Sequence, residues 1–510
     1  MSRKERKKRE RRQGRPSKPK SQSSQSSQPA LAKGPAPSYP STRLSQELVE
    51  IPATARDDMR VAARVWADEE LWKQISRDRT LLQLVNVSTL PGIAGTAQAM
   101  PDAHEGYGFP VGGVAAFRAR DGIISPGGVG YDINCGVRLL ASEILAGELG
   151  HSRLESLIHD LSRAIPSGTG RGSHLSFTDD EFERVLAEGC SYLAERGLAT
   201  EEDLDTIEAR GRLPQADPRA VSERARQRGG GQLGSIGSGN HFVEVQRVET
   251  VFDLHAAEAL GLHKGQVVIL IHTGSRGLGH QVCTDYVRAM DAVMIREGIK
   301  LPDRELACAP FQSPEGQKYF GAMCASANFA FSNRQAITWA ARQVFERALG
   351  DAGKLRVVYD VAHNMAKLER HGEEDLVVHR KGATRAFGPS HPETPRKYKE
   401  VGQPVLIPGS MGTASYVLVG TDQGFDLSFG STCHGAGRAM SRSAAKKVQS
   451  GAEVRKALED RGIVVRASPG ELAEEAPYAY KDVDRVVGVV HDAGLARKVA
   501  RLVPLGVVKG

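Results

Sequence analysis

The sequence has 510 residues, 40% of them hydrophobic and 25% charged, a composition that excludes a wholly disordered chain. Its formal charge of +7 is concentrated at one end: residues 1–20 hold eleven Lys and Arg against two Glu and contribute +9, which leaves −2 for residues 21–510. The apolar runs are far shorter than the roughly 20 residues of a membrane span, and the six cysteines show no CxxC spacing, so we expect no membrane helix, no disulfide framework or zinc ribbon, and a reducing cytoplasm.

The N-terminal segment differs in composition from the rest of the chain. Residues 1–44 are first basic and then rich in Ser, Gln and Pro, and they offer too little apolar surface to offset the entropy of ordering. We therefore predict a disordered arm over residues 1–44 and a single body over residues 45–510. A basic arm can attract nucleic-acid phosphates, but a merely solvated tail is an equally good interpretation.

The body is predicted to mix short strands, Gly-rich loops and helices. Helical spacing starts the body, from Thr42 to Trp72. Alternating or continuous apolar runs predict strands at Val111 to Phe117, Val137 to Leu140, Phe242 to Val245, Val267 to His272, Arg356 to Val361, Tyr416 to Val419 and Val486 to Val490. Further helices are predicted at 152–164, 180–197, 282–297, 317–349, 436–449 and 492–502. Residues 200–230 are polar and weakly periodic, which favours an exposed insertion. The fold class is therefore α+β.

One candidate metal centre stands out. Asp132 and Cys135 lie three residues apart between Gly-rich turns, and a carboxylate with a thiolate suits a divalent transition metal. Taken alone, the pair is equally well read as a buried cysteine beside a capping aspartate. His241, His272 and His363, however, each end or flank an apolar run, and together with this pair they supply five ligands. Two ions sharing the thiolate would each have three protein ligands and open positions for phosphate oxygens.

A second signal is His434, which lies in the segment Cys433 to Arg438 before a helix-like run. At a helix N-terminus free N–H groups favour a phosphate, so this histidine is a candidate phosphate ligand, acid/base or nucleophile, and spacing alone does not choose among these roles. There is no GxxxxGK[ST], so the pattern excludes a P-loop. The apolar lead-in to Lys509 predicts that the end of the chain is buried.

Several ordered motifs resemble one known family. They are PDAHEGYGFPVGGV, GYDINCGVR, GNHFVEV, HTGSRGLG, the AHN around His363, KGATRA, PGSMGT, HGAGR, AYKDVD and PLGVVKG. In this order they resemble the RtcB family of RNA-splicing ligases over about residues 45–510, and the basic arm is outside the resemblance. The likeness implies a ligase that uses GTP and Mn²⁺ to join an RNA 3′-phosphate or 2′,3′-cyclic phosphate end to a 5′-hydroxyl end, in tRNA splicing or RNA repair.

The resemblance also implies residue roles. One Mn²⁺ would be held by Asp132, Cys135 and His241, and the other by Cys135, His272 and His363. His434 would take GMP covalently before GMP passes to the RNA 3′ end, and Asp102 would be a carboxylate needed near the metals. The guanylate-binding positions would be Asn240, Glu244, Ser410, Ser415, Ala436, Gly437, Tyr480 and Lys509.

Two other function classes compete with RNA ligation. A two-metal phosphatase or cyclic phosphodiesterase would need the metal ligands but neither His434 nor Lys509, and a non-catalytic RNA-binding protein is favoured only by the arm. Since residues 21–510 sum to −2, RNA contact is predicted to be local, around Arg276, Arg380, Lys381 and Arg385. The natural RNA, whether tRNA halves or damaged transcripts, stays open. An accessory activator of the archease type also stays open.

Overall fold

A computed structural model of the chain describes residues 36–168 and 174–509. Ala36–Gly510 form one compact unit that mixes helices and sheets, which confirms the predicted α+β class. The predicted arm lies outside the described residues up to residue 35, whereas Thr42–Arg43 form a short strand that pairs with Leu48–Ile51. None of the described helices combines the length and the apolar character that crossing a bilayer demands.

The first sheet is built largely from the N-terminal part of the unit. In spatial order its strands are Thr42–Arg43, Leu48–Ile51, Ala63–Trp66, Ile93–His104, Val111–Arg118, Glu374–Lys381 and Asn364–His371. Its apolar core includes residues of the helices Thr80–Val87 and Val483–Asp492. Two small pairings lie outside it: Ile123–Ile124 with Ala309–Pro310, and Ala383–Arg385 with Ser431–Cys433.

The second sheet is apolar on both faces. In spatial order its main strands are Arg356–Ala362, Gly136–Leu145, Gln266–Thr273, Phe242–Val251, Ala496–Lys509, Ser415–Gly420 and Pro404–Ile407, and Val464–Arg466 also pairs with Ala496–Lys509. Along Gln266–Thr273, Val267 and Ile269 join one apolar core while Val268 and Leu270 join the other. Because successive side chains of a strand point to opposite faces, a continuous apolar run is what a sheet covered on both sides requires.

Helices cover these sheets. They are Glu69–Ile75, Thr80–Val87, His151–Ala164, Asp179–Glu188, Cys190–Glu195, Glu201–Asp205, Glu223–Gly229, Leu254–Leu260, Arg276–Arg296, Pro314–Leu349, Asp422–Ser428, Arg442–Ala445, Gly451–Glu459, Pro469–Glu474 and Val483–Asp492. The longest, Pro314–Leu349, begins where the Ser313 side chain accepts a hydrogen bond from the amide of Gly316, and it ends at Gly350. Its middle is almost wholly buried, and it is called the central helix below.

Several predicted elements were wrong. The segment from Thr42 to Trp72, expected as helix, forms three short strands joined by loops, with α-helix only from Glu69 on, because pairing in the first sheet overrides the local spacing. The strand expected at Val486 to Val490 is part of the helix Val483–Asp492, whose buried valines recur at helical spacing. The helix expected at 492–502 is strand from Ala496 on, and that at 436–449 shrinks to Arg442–Ala445.

The predicted exposed insertion at 200–230 was also wrong. This segment forms two short helices, and its residues Leu204, Ile207 and Ala225 join the apolar core around the central helix. Its most informative residue is Glu208, which is 2% exposed. One oxygen of Glu208 lies 2.6 Å from Lys367 Nζ, and the other accepts a hydrogen bond of 2.9 Å from the amide of Ala362. A polar segment is therefore built into the core through a buried ion pair.

We expect Glu208→Gln to destabilise the protein by about 3 kcal/mol near neutral pH, because a buried cation then loses its charged partner. Burial alone would raise the pKa of Glu208, but Lys367 and Arg385 lower it to about 2. The folded pKa lies below the unfolded value of about 4.3, so the stabilisation is present above pH of about 5 and is lost as the pH falls towards 2. Denaturant unfolding at several pH values should show the gap between wild type and variant closing on the acid side.

The matched control is Glu69→Gln, since the Glu69 side chain is 72% exposed in its pair with Lys73. An exposed pair of this kind contributes under about 1 kcal/mol. A Glu208→Gln deficit that stays constant from neutral to acid pH would contradict the assignment.

Candidate functional site

The five predicted metal ligands meet at one end of the second sheet. Antiparallel pairing sets Ala362 opposite Gly136, Gly136 opposite Thr273, and Phe242 opposite His272. Because these pairs lie at the strand ends, the residues next to them also fall together. His363 and Cys135 adjoin the paired Ala362 and Gly136, and His241 adjoins Phe242. The register of three strand pairs thus brings together residues more than 200 positions apart.

The side chains converge closely. Cys135 Sγ lies 3.3 Å from His241 Nε2 and 3.4 Å from His272 Nε2, and His272 Nε2 lies 3.3 Å from His363 Nε2. The ligand atoms of Cys135, His241 and His272 all lie within 4.8 Å of one another. The thiol and the three imidazoles therefore share one small volume.

Asp132 completes this group from its loop. Its Oδ2 lies 2.9 Å from His241 Nε2, and its Oδ1 accepts a hydrogen bond of 3.0 Å from the amide of Ser275. A Cβ on Gly274 would lie 2.4 Å from Asp132 Oδ1, so only glycine allows the carboxylate to come this close. The glycine of the HTGSRG motif is thereby explained by steric contact.

Burial and neighbouring groups disfavour the charged forms of Cys135, His272 and His363. Burial raises the pKa of the Cys135 thiol well above its ordinary value, and the charge of Asp132 raises it further. Burial also lowers the pKa of His272 and of His363 well below the ordinary value, and the neighbouring imidazoles add to the effect. Burial opposes ionisation of Asp132 as well, but the contact with His241 holds its pKa below the usual range.

The donor set fits a bound cation. Cys135 Sγ, Asp132 Oδ2 and the Nε2 atoms of His241, His272 and His363 face one another, with neighbouring atoms 2.9 to 3.4 Å apart. A carboxylate, a thiol and ring nitrogens that converge in this way are the donor set of a metal site. A thiol and imidazoles are borderline-soft donors, and a coordinated thiol loses its proton. The group of Cys135, His241 and His272 can therefore hold a metal ion.

His434 and Asp102 lie beside this group. The His434 ring centroid is 4.9 Å from that of His363. His434 Nδ1 lies 2.6 Å from Asp102 Oδ2, and the same oxygen accepts hydrogen bonds from the amides of His434 and Gly435 at 3.0 and 3.2 Å. Burial would raise the pKa of Asp102, but the contact with His434 holds it below the ordinary value. The buried carboxylate fixes the ring, and Nε2 is left as the free nitrogen.

The expected helix start after His434 was wrong. His434 follows the strand Ser431–Cys433, and the next helix begins only at Arg442. The intervening loop is held tightly: a Cβ on Gly437, whose φ is +71°, would lie 2.1 Å from the carbonyl oxygen of Asp102. The small residues of HGAGR therefore permit close approach to the strand that carries Asp102 instead of opening a helix dipole to a phosphate.

Three of the positions expected to bind guanylate, Glu244, Ser415 and Lys509, are buried near the same end of the second sheet. Gln246 Nε2 donates to Glu244 Oε2 at 2.6 Å and to Ser415 Oγ at 3.1 Å. Lys509 pairs with Phe242 across the sheet, its Nζ lies 5.8 Å from the centre of the Phe242 ring, and its burial confirms the prediction from the apolar lead-in. Burial raises the pKa of Glu244 to about 7 and lowers that of Lys509 to about 8.

Glu244 Oε1 and Lys509 Nζ are buried atoms without a hydrogen-bond partner among the described residues. Burying a carboxylate oxygen and an ammonium group without hydrogen-bond partners costs free energy, unless a ligand supplies the missing partners. The two buried groups are therefore candidates for contact with a ligand that has both donors and acceptors.

The remaining guanylate positions lie on neighbouring loops. Ser410 Oγ lies 3.1 Å from Thr413 Oγ1. The loop of Ala436 and Gly437 is tied to Tyr480 through Arg438, whose guanidinium lies 5.0 Å from the centre of the Tyr480 ring. Asn240 is half-buried directly before His241.

Sequence reasoning missed the residue that joins the ligand segments. Arg334, on the central helix, is 0% exposed and uses all five of its N–H donors. It donates twice to Asp360, to the backbone and side-chain oxygens of Asn134, and to the carbonyl of Thr273, at 2.8 to 2.9 Å. Asn134 adjoins Cys135, and Thr273 adjoins His272. The signal was present as the polar run Ser332 to Gln335 inside an otherwise apolar helix.

The predicted basic surface was mostly wrong. Arg380 is 4% exposed and lies 2.6 Å from Glu369, Arg385 is 2% exposed and lies 2.6 Å from Glu393, and Lys381 donates to the backbone carbonyls of Tyr107 and Phe109. These cations are therefore internal.

An open cavity of about 870 Å³ lies against the metal-type cluster instead, and it includes only Arg276 of the four predicted cations. Its lining holds three arginines, Arg228, Arg276 and Arg442, against four carboxylates, Asp132, Glu471, Glu474 and Glu475, and it includes His241. Arg442 pairs with Glu474 and Glu475, whereas no ion pair joins Arg228 or Arg276 to a described residue. A polyanion approaching the cluster can therefore meet positive charge at Arg228 and Arg276, although the lining as a whole is not basic.

Comparison with known proteins gives one consistent result. Residues 83–510 match the family described as tRNA-splicing ligase RtcB. A tRNA-splicing ligase RtcB of Thermococcus kodakarensis is 52% identical over 479 residues, covering 92% of this chain and 99% of that protein. One of Methanococcus maripaludis is 49% identical over 477 residues, with 92% and 99% covered. An RNA-splicing ligase RtcB of Mycobacterium tuberculosis is 52% identical over 436 residues, with 84% and 100% covered.

Proposed function

Because the chain belongs to the RtcB family of tRNA-splicing ligases, we propose that it joins an RNA 3′-phosphate or 2′,3′-cyclic phosphate end to a 5′-hydroxyl end at the expense of GTP. The observation that carries this proposal is the position of His434, held on Asp102 with its ring 4.9 Å from that of a candidate metal ligand. A hydrolase would need no such nucleophile beside its metals.

His434 is the proposed nucleophile. With Asp102 at Nδ1, the proton of the neutral ring belongs on Nδ1 and the lone pair on Nε2. Attack by Nε2 on the α-phosphorus of GTP forms a P–N bond as the bond to pyrophosphate breaks. The RNA 3′-phosphate then takes the GMP from His434, and the 5′-hydroxyl displaces GMP from the activated 3′ end. Asp102 stabilises the positive charge that the ring acquires in the first step.

We assign the metal site to two Mn²⁺ ions that share Cys135. Asp132, Cys135 and His241 would hold one, and Cys135, His272 and His363 the other. Such ions, when bound, neutralise the charge on phosphate oxygens and activate water to open a cyclic phosphate. The protein residues supply the geometry, because the strand register and the Arg334 contacts hold the ligands together.

The buried groups of Glu244 and Lys509 are the proposed guanine site. A carboxylate can accept hydrogen bonds from N1–H and the exocyclic amine of guanine, and adenine presents no such donor pair. The positive charge of Lys509 favours the ionised form of Glu244. Asn240, Ser410, Ser415, Ala436, Gly437 and Tyr480 are the other proposed contacts of GMP. Specificity for GTP over ATP follows from the buried carboxylate.

The partners are proposed to be RNA ends entering through the arginine-lined cavity, from tRNA halves or from damaged RNA. An archease-type activator is compatible with this scheme but is not required by it. The six cysteines are all unpaired and buried, which supports a reducing cytoplasmic location.

A joining assay tests the proposal. We expect wild-type protein with Mn²⁺ to join an oligonucleotide ending in a 3′-phosphate to one starting with a 5′-hydroxyl, in a reaction that needs GTP and fails with ATP. An oligonucleotide ending in a 3′-hydroxyl is the control and should not react. If the protein opens cyclic phosphates but joins nothing, the hydrolase hypothesis replaces the ligase.

A further inference from the structure

Three aromatic rings, those of Tyr107, Tyr131 and His280, lie in contact in a row beside the candidate site. This row is called the stack below. Tyr107 and Tyr131 meet edge to face, with centroids 5.3 Å apart and an interplanar angle of 64°. Tyr131 and His280 are stacked, with centroids 4.9 Å apart and an angle of 29°. Tyr107 and Tyr131 are half-buried, while His280, on the helix Arg276–Arg296, is exposed. Exposure therefore increases from the two half-buried tyrosines to His280.

The inner end of the stack is held firmly. The backbone carbonyl of Tyr107 accepts from the buried Lys381, and the amide of Gly108 donates to Glu305 at 2.9 Å. The carbonyl of Asp132, next to Tyr131, accepts from the Asn364 side chain at 3.1 Å. Because the supporting rings are fixed, the outer ring is presented to solvent at little further cost in conformational entropy.

The outer end of the stack faces the arginine-lined cavity. Tyr131 and His280 line it together with Arg228 and Arg276, and the candidate metal ligands Asp132 and His241 form part of the same wall. Arg228 is exposed and donates to the neutral side chain of Gln281 at 2.9 Å. One cavity therefore combines two arginines without an ion pair among the described residues, an exposed aromatic face and the proposed metal centre, while its glutamates lie with Arg442 on the same lining.

We propose that Tyr131 and His280 form a stacking platform for the unpaired nucleobase next to the RNA 3′-phosphate that is to be joined, with Arg228 and Arg276 meeting the backbone phosphates. This subsite rests on the proposed ligase function. Proteins that bind single-stranded RNA combine these two elements, a basic surface for the backbone and aromatic side chains on which bases stack. A ligand that offers only phosphate groups would contact the arginines but would make no use of an aromatic ring, so the aromatic rings favour a ligand that carries a base.

The subsite has a consequence for substrate choice. Every base has a π face, so stacking tolerates any sequence, and purines stack more strongly than pyrimidines. The terminal nucleotide must be unpaired to reach the platform, because a paired base is already stacked within its helix. The enzyme would therefore prefer ends that protrude as single strands, and would accept many sequences there.

The test uses a short single-stranded RNA with 2-aminopurine in the 3′-terminal nucleotide and a 3′-phosphate, together with full-length protein and Mn²⁺ but no GTP. Stacking quenches the fluorescence of this base. We expect wild type to quench it, and His280→Leu and Tyr131→Leu to lose the quenching and about tenfold in affinity. Tyr131→Phe, which keeps the ring, should retain both. His159→Leu, at an exposed histidine on the helix His151–Ala164, is the matched control.

A second RNA, identical but abasic at its terminal nucleotide, separates stacking from folding. We expect it to bind wild type and His280→Leu equally well, because it has no base to stack. Loss of affinity for both RNAs in His280→Leu would overturn the platform and indicate a general effect on the cavity. Covalent labelling of wild type by GTP is measured in parallel. The platform is wrong, and the ligase proposal stands, if wild type takes label and binds RNA normally while both leucine variants quench the fluorescence as well as wild type does. Both proposals are wrong if wild type neither takes label nor binds RNA.

Discussion

Replacement of His434 by alanine is expected to leave no detectable covalent label after incubation with GTP labelled in its α-phosphate and Mn²⁺, whereas the wild type becomes labelled. The reason is that Nε2 of this ring is the proposed attacking atom, and alanine offers nothing in its place. The wild-type label should be acid-labile, as a P–N bond is, and stable to base. Denaturing gel electrophoresis after acid or base treatment measures both properties.

Asp102→Asn gives a finer test of the same arrangement. Asparagine keeps the oxygen that accepts from the amides of His434 and Gly435 but loses the charge that faces Nδ1. Labelling should then slow by about 10²-fold or more without disappearing, because the ring loses the negative charge that stabilises the positive charge it acquires during the attack.

The control for these two variants is His255→Ala, an exposed histidine on the helix Leu254–Leu260. It should label like the wild type. Label retained by His434→Ala would exclude this residue as the nucleophile, and an Asp102→Asn rate equal to that of the wild type would exclude the orienting role.

The positions of the candidate ligands could be predicted because their determinants are local. A histidine that ends a continuous apolar run must lie at the end of a buried strand, and a Gly-rich turn marks the loop of Asp132 and Cys135. The strand register that sets Gly136 opposite both Ala362 and Thr273 could not be predicted from the sequence. Those pairings depend on the whole sheet, so the meeting of the ligands could be expected only from the family resemblance.

The wrong predictions share a physical cause, which is that the partner of a residue is invisible along the chain. Arg380 and Arg385 resemble surface cations until the structure places Glu369 and Glu208 beside them. The valines of the helix Val483–Asp492 favour a strand by local propensity, and only packing against the first sheet selects the helix. Long-range contacts decided each of these cases.

Arg334→Lys is expected to weaken metal binding by about 10- to 100-fold as well as destabilise the protein. Lysine keeps the charge that faces Asp360 but has three donors on one nitrogen. It cannot bridge the carbonyls of Asn134 and Thr273, which the guanidinium of Arg334 reaches at 2.9 Å each. The segments that carry Cys135 and His272 would then lose their common support. Arg334 is thus a positioning residue, which acts on the metal only through other groups.

Titration with Co²⁺ provides the measurement, because a thiolate bound to Co²⁺ gives a charge-transfer absorption that reports the Cys135 ligand without any need for catalysis. Thermal unfolding of the same samples without metal measures stability separately. Cys135→Ser should lack the absorption altogether and so identifies its source.

Arg138→Lys is the matched control. Arg138 is also 0% exposed and also pairs with Asp360, at 2.7 Å, but its other bonds go to Gln335 and Thr338 on the central helix and not to the ligand segments. Both variants disturb a buried ion pair with the same aspartate, so both should unfold at lower temperature. Only Arg334→Lys should lose Co²⁺ affinity. Equal Co²⁺ affinity in the two variants would mean that Arg334 stabilises the core and nothing more, and the geometry of the metal ligands would then rest on the strand register alone.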